Sequence, residues 1–189
     1  GIITRGGRAM FVKVCGCTKP EHLRWAAELG YDAAGIVLHP GSPRYCEPDR
    51  ARDLARAAEG LLVRVAVGLT YDEVAPVRPY FEYIQIYERF SADRFILAGT
   101  EDPEGARFDF FLYDASRGKG VSGSFPSWLA RYRDRLILSG GLRCGSIARD
   151  VGALAPFGID VSSGVEETPG LKSHRLMASF IEEARCGAE

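Results

Sequence analysis

Eight short apolar runs recur along the chain, most of them closed by Gly, Pro, Ser or Asp, and this recurrence is what most restricts the fold. They are MFVKVCGC (10–17), AAGIVLH (33–39), LLVRVAVGL (61–69), FEYIQIY (81–87), DRFILAG (93–99), FDFFLYDA (108–115), DRLILSGG (134–141) and FGIDVSSG (157–164). Between them lie segments with apolar residues at helical spacing, among them KPEHLRWAAELG, EPDRARDLARAAEG, FPSWLARYR, GSIARDVGALAPFG and LKSHRLMASFIEEAR. Nearly continuous apolar strands alternating with amphipathic helices imply parallel strands covered by helices. Eight such units predict an α/β fold, a closed parallel (β/α)8 or TIM barrel, with an open doubly wound sheet as the alternative. At 189 residues the chain is shorter than the ~250 usual for that barrel. The helices after strands 4 and 5 are therefore expected to be short or missing, and ERFSA and TEDPEGAR read as loops or single turns.

The hydrophobic content, 46%, suffices for one core and one domain, expected over residues 10–189. Met10 is expected to be the native start, with residues 1–9 an added or unfolded extension. A formal charge of −1 without a run of like charges excludes nucleic acid as an expected partner. No apolar run reaches the ~18 residues of a membrane span, and the opening residues lack a signal-peptide pattern. The five cysteines, Cys15, Cys17, Cys46, Cys144 and Cys186, are irregularly spaced and form no CxxC pair. Reduced thiols in a cytoplasm are expected, with no metal, and the lack of a dinucleotide fingerprint leads to the expectation of no cofactor.

In such a barrel, chemistry sits where strands run out into the following loops. Period two puts Lys13, Cys15 and Cys17 on one face of the first strand, opposite Val12 and Val14. A lysine turned into a barrel is unexpected for packing, and its ammonium would favour a Cys15 thiolate over the default of a small buried hydrophobe. Asp114 closes the sixth strand on the face of Phe110 and Leu112; it reads as a turn former or as a chemical group. The seventh and eighth strands end in LSGGL and VSSGVE, where Gly backbone amides and Ser hydroxyls suit a phosphorylated ligand. Arg44, in HPGSPRY after the second strand, reads as a surface arginine or a planar fork for a carboxylate, and neighbouring His39 as structural or titrating.

Together these motifs resemble the phosphoribosylanthranilate isomerase family of tryptophan biosynthesis. The likeness runs from Phe11 onward through KVCGCT, HPGSPRY, IQIY, YDA, SGG and GIDVSSGVEETPGLKS. The resemblance implies an isomerase that rearranges N-(5-phosphoribosyl)anthranilate to the amino-ribulose phosphate, with Cys15 as general base and Asp114 as general acid. It further implies Arg44 on the anthranilate carboxylate, phosphate donors Gly140, Gly141, Ser162, Ser163 and Gly164, and supporting roles for Gln85 and Asp160. The implied partner is a small phosphorylated substrate, and the assembly a monomer or homodimer. Two stretches depart from the family pattern: Tyr87-Glu88 stands for histidine-glycine, and GVSGSFPSW (120–128) retains Gly120, Ser122, Gly123 and Phe125 but lacks a lysine. Competing expectations are a barrel that binds a sugar phosphate without turnover, and a histidine-pathway aminoaldose isomerase, which uses two aspartates. A reference thiol near ~8.5 is mostly protonated at neutral pH, so Lys13 is expected to pull Cys15 down toward its working form.

Overall fold

The computed structural model describes residues 3, 10–117, 125–152 and 154–186 of the chain. Gly120, Ser122 and Gly123, singled out above, lie outside the described residues. Eight parallel strands close into a barrel in chain order: β1 (Phe11–Cys15), β2 (Ala33–Val37), β3 (Val63–Val67), β4 (Tyr83–Ile86), β5 (Phe95–Gly99), β6 (Phe110–Asp114), β7 (Leu136–Ser139) and β8 (Gly158–Val161). Every apolar run contains one of them, trimmed at its ends. Because β1 pairs with β8 as well as with β2, the open-sheet alternative is excluded.

Around the barrel lie α1 (Pro20–Leu29), α2 (Pro48–Ala57), α3 (Tyr71–Val74), α4 (Ile147–Gly152) and α5 (His174–Cys186). Proline at the first turn starts α1 and α2, where its missing N–H costs nothing. Segments 87–94 and 100–109 hold no helix, as the short length of the chain requires. FPSWLARYR forms a 3-10 helix, Ser127–Arg135, instead of an α-helix. Its buried residues Leu129 and Tyr132 are three apart, the spacing that a threefold helix stacks on one face. In GSIARDVGALAPFG only α4 is helical; Ala155, just before Pro156, has left-handed backbone (φ 43). Beyond β8, β9 (Glu166–Thr168) and β10 (Leu171–Lys172) form a small antiparallel ribbon.

Alternate strand residues separate two apolar layers. Val12, Val14, Ile36, Ile84, Leu97 and Phe111 face the helices and loops outside. Cys15, Val65, Ile96, Leu112 and Ile137 point into the barrel. At the amino-terminal end of the strands the interior is aromatic, with Phe157 set against Phe11 and Phe110 (centroids 5.5 and 4.8 Å). Ile3 is buried there, its amide donating to the Tyr83 hydroxyl (3.3 Å). Toward the carboxyl ends the interior becomes polar: Lys13, Gln85, Asp114 and Asp160 are all buried. Burial of so many polar groups is costly unless they pair, and the change of character marks where chemistry is built.

One expected placement is corrected. Cys17 does not share the Cys15 face: β1 stops at Cys15, and Gly16 adopts a left-handed conformation (φ 78) that ends the period-two alternation. Cys17 consequently packs in the outer layer beside Cys46.

Candidate active site

A cavity of about 290 Å³ opens at the carboxyl ends of the strands. Cys15, Arg44, Gln85, Asp114, Gly140, Gly141, Asp160, Ser162 and Ser163 all line it. Gly164 does not; a Cβ there would run into the Leu142 carbonyl, so this glycine permits close approach of the loops after β7 and β8.

On the β1–β8 side the groups are charged and dry. The register opposes Lys13 to Asp160, and Lys13 Nζ donates to Asp160 Oδ1 at 2.7 Å. Ser139 Oγ donates to the other oxygen of Asp160 (3.0 Å). The absence of a side chain at Gly35 leaves room for Cys15 Sγ and Lys13 Nζ, each about where a Cβ contact would fall. Burial opposes the Lys13 charge, but Asp160 and Cys15 together outweigh it and hold the ammonium above the ordinary lysine range. The Cys15 thiol, by contrast, is pushed up by burial; Lys13 pulls the other way without prevailing, and the Asp160 charge adds to the rise. The expectation that Lys13 brings the thiol down to a working form is therefore corrected: Lys13 does lower it, but burial, joined by the Asp160 charge, outweighs that pull.

A second buried lysine was not singled out from the sequence. Lys172 Nζ donates to the Cys15 carbonyl (2.5 Å), the Ser162 carbonyl (3.2 Å) and Glu166 Oε1 (2.7 Å), tying the ribbon to the end of β1. Glu166 also receives Arg44 through Nε (2.8 Å) and Nη2 (2.7 Å), a two-point clasp that leaves Nη1 uncommitted among the described residues. Burial pushes the Glu166 carboxyl up, yet the bonds from Arg44 and Lys172 bring it below the ordinary glutamate value. Arg44 lies across Gly16, where any side chain would collide with its methylenes. The lysine in PGLKS and the glutamate in GVEE stood inside quoted motifs, but only their long-range partners reveal their work.

The β4–β6 side is built from hydroxyls. Asp114 Oδ1 accepts from the amide (3.1 Å) and hydroxyl (2.5 Å) of Ser116, while Tyr87 Oη donates to Oδ2 at 2.7 Å. Arg117 Nε stands 3.6 Å from the same Oδ2. Gly140, with φ 96, backs onto the amides of Ala115 and Ser116, so the turns after β6 and β7 touch where a Cβ would not fit. Gln85 is 3% exposed, and its Oε1 has no hydrogen-bond partner among the described residues. His39 lies outside the lining, bonded through Nδ1 to Glu73 (2.8 Å). Glu88, the other half of the unusual Tyr-Glu pair, accepts from the Tyr71 amide at the start of α3 (2.8 Å). Phe125, from the second departing stretch, meets Tyr113 edge to face. No helix among the described residues is long and apolar enough to cross a membrane.

Comparison with known proteins agrees with this geometry. Residues 77–183 match the family model described as N-(5'phosphoribosyl)anthranilate (PRA) isomerase. The N-(5'-phosphoribosyl)anthranilate isomerase of Thermotoga neapolitana is 31% identical over 200 residues, covering 92% of this chain and 98% of that protein. The crystal structure of TrpF from Jonesia denitrificans is 28% identical, with a TM-score of 0.81 over 94% of this chain and 97% of that one. A phosphoribosyl anthranilate isomerase in complex with reduced 1-(o-carboxyphenylamino)-1-deoxyribulose 5-phosphate superposes with a TM-score of 0.74 at 28% identity, covering 94% of this chain and 99% of that one. With a barrel of this topology, a polar site at its carboxyl end and a relative at 31% identity over 92% of its length, the chain belongs to the phosphoribosylanthranilate isomerase family.

Proposed function

We propose that the chain isomerises N-(5'-phosphoribosyl)anthranilate to 1-(2-carboxyphenylamino)-1-deoxyribulose 5-phosphate, with Asp114 as general acid and Cys15 as general base. The observation that carries the reading is that these two side chains line one cavity whose wall between them comes from the loops after β7 and β8. Backbone amides of Gly140 and Gly141 and the Ser163 hydroxyl suit a phosphate held there, with Ser162 in the same lining, its own hydroxyl donating to the Cys15 carbonyl (3.0 Å). Arg44, beyond Cys15 on the loop after β2, offers its uncommitted Nη1 to the carboxylate at the substrate's other end. A molecule anchored at both anionic ends presents its furanose to β1 and β6.

Asp114, in its protonated form, gives a proton to the ring oxygen as the C1–O bond breaks and the nitrogen lone pair forms a C=N bond. Cys15 as thiolate then removes the C2 proton; that electron pair enters the C1–C2 bond and neutralises the nitrogen. The enol becomes the ketone by taking a proton at C1 and losing its hydroxyl proton. Because burial pushes the Cys15 thiol up, its proton must first leave to solvent, and the cationic C=N created by the acid step is what favours thiolate beside it. Gln85, Asp160 and Lys13 support this arrangement from inside the barrel, and all the residues invoked come from one chain, so the reading requires neither a cofactor nor a second copy.

Loss of the substrate's fluorescence after adding protein at one-hundredth of its concentration tests the reading. Disappearance of the whole signal is expected. A loss that stops at one equivalent would instead identify a sugar-phosphate-binding barrel without turnover.

A further inference from the structure

We propose that Tyr87 is the positioning residue for the general acid: its hydroxyl fixes the Asp114 oxygen that delivers the proton. The inference rests on the reading of Asp114 as the acid and goes beyond it, to the group on another strand that orients it.

The two oxygens of Asp114 are not equivalent. Oδ1 is occupied by two donors from Ser116, two residues along the same turn, and is turned toward its own backbone. Oδ2 has one close partner, the Tyr87 hydroxyl at 2.7 Å, which reaches it from the end of β4. The proton for the substrate therefore sits on Oδ2, and the group that orients Oδ2 sets the direction of delivery. A carboxyl group held only through Oδ1 can still swing its other oxygen, whereas a second bond from another strand removes that freedom.

Tyr87 is itself held. The guanidinium of Arg117 lies 4.1 Å from the ring centroid, a cation–π contact, while its Nε stands 3.6 Å from Oδ2. Burial, and next the Asp114 charge, push the Tyr87 phenol well up, so it remains a hydroxyl donor throughout the working range. Tyr87 lines both the active-site cavity and a second one of about 200 Å³, bounded also by Leu97, Gly99, Thr100 and Phe111. Removing only the hydroxyl leaves the ring and its packing in place.

Tyr87→Phe is thus the informative substitution, measured beside Asp114→Asn. The lost bond fixes the direction of proton delivery, and misplacement of a catalytic group is costly, so kcat should fall roughly 10-fold to 100-fold. KM should stay within about twofold and the melting temperature should not move, since ring and packing remain. Unchanged kcat, or a loss expressed in KM alone, would overturn the assignment, because positioning of the acid acts on the chemical step. If Asp114→Asn itself keeps near-normal kcat, the reading of Asp114 as acid fails first, and any Tyr87→Phe effect has another origin. If Asp114→Asn loses turnover while Tyr87→Phe does not, the acid stands and only the role of Tyr87 falls.

Discussion

The two walls of the cavity solve the same problem with different materials. On the Cys15 side, charge is buried among charge: Lys13 and Lys172 are fully enclosed and paired with Asp160 and Glu166. On the Asp114 side, hydroxyls of Tyr87 and Ser116 and the half-exposed Arg117 surround the carboxylate at the cavity's edge. A wall of paired charges is rigid but depends on every member, since an orphaned buried charge is expensive. A wall of hydroxyls can lose a member and remain folded. Removal of a buried charge from the first should therefore appear as lost stability together with lost activity, and damage to the second as lost activity alone.

The harshest way to break this contrast is Lys13→Ala. It strands Asp160, which among the described residues keeps only the Ser139 hydroxyl, and should cost about 3–5 kcal/mol of unfolding free energy in a urea titration. A loss below about 1 kcal/mol would mean that the pair is not the structural tie described above. Arg44→Ala is milder, because Glu166 retains Lys172. Its effect should lie in KM, rising about 10-fold to 100-fold for a lost charge-assisted contact, with kcat little changed. Unaltered KM would return Arg44 to a surface role.

Titration sharpens the contrast further. The base must be a thiolate, and burial places the Cys15 thiol above the ordinary thiol range. The rate at which iodoacetamide inactivates the enzyme, which reads the thiolate alone, should therefore climb with pH from neutrality to the alkaline limit of folding; a plateau already at pH 7 would show the thiol to be ionised there. The smallest effect concerns His22, behind the same wall. Burial, with help from the Lys172 ammonium, pushes it from 6.5 down to about 4. Between those values the unfolded chain binds a proton that the folded chain does not, so stability present above pH 6.5 is lost as pH falls toward 4. Urea midpoints at pH 7 and pH 5 should differ in the parent and converge in His22→Gln; equal parental midpoints would contradict this.

The barrel was legible because its signals are local. Each strand is a continuous apolar run with a breaker, and segments 88–92 and 100–107 are too short and polar to hold a covering helix. The cavity was legible for a related reason: in a parallel barrel the carboxyl ends of all strands meet, so residues at run ends, Cys15 and Asp114 among them, converge without any knowledge of their separation. What stayed hidden depends on register and on single backbone angles. The Lys13–Asp160 contact joins residues 147 positions apart and exists only because β1 meets β8 in one register. Cys17 leaves the inward face because Gly16 turns with positive φ, a break that period-two counting does not detect. Tyr87 and Glu166 were visible as letters in motifs, but their partners lie on other strands and loops.

The claim on which the account depends is that one thiol and one carboxyl group, presented by opposite walls, perform the two proton transfers. Steady-state turnover of Cys15→Ala and Asp114→Asn, each checked by its melting curve, tests it most directly. Both variants should melt as the parent does and lose at least ~10²-fold in kcat. Near-parental kcat in either folded variant would contradict the account and remove that residue from the reaction.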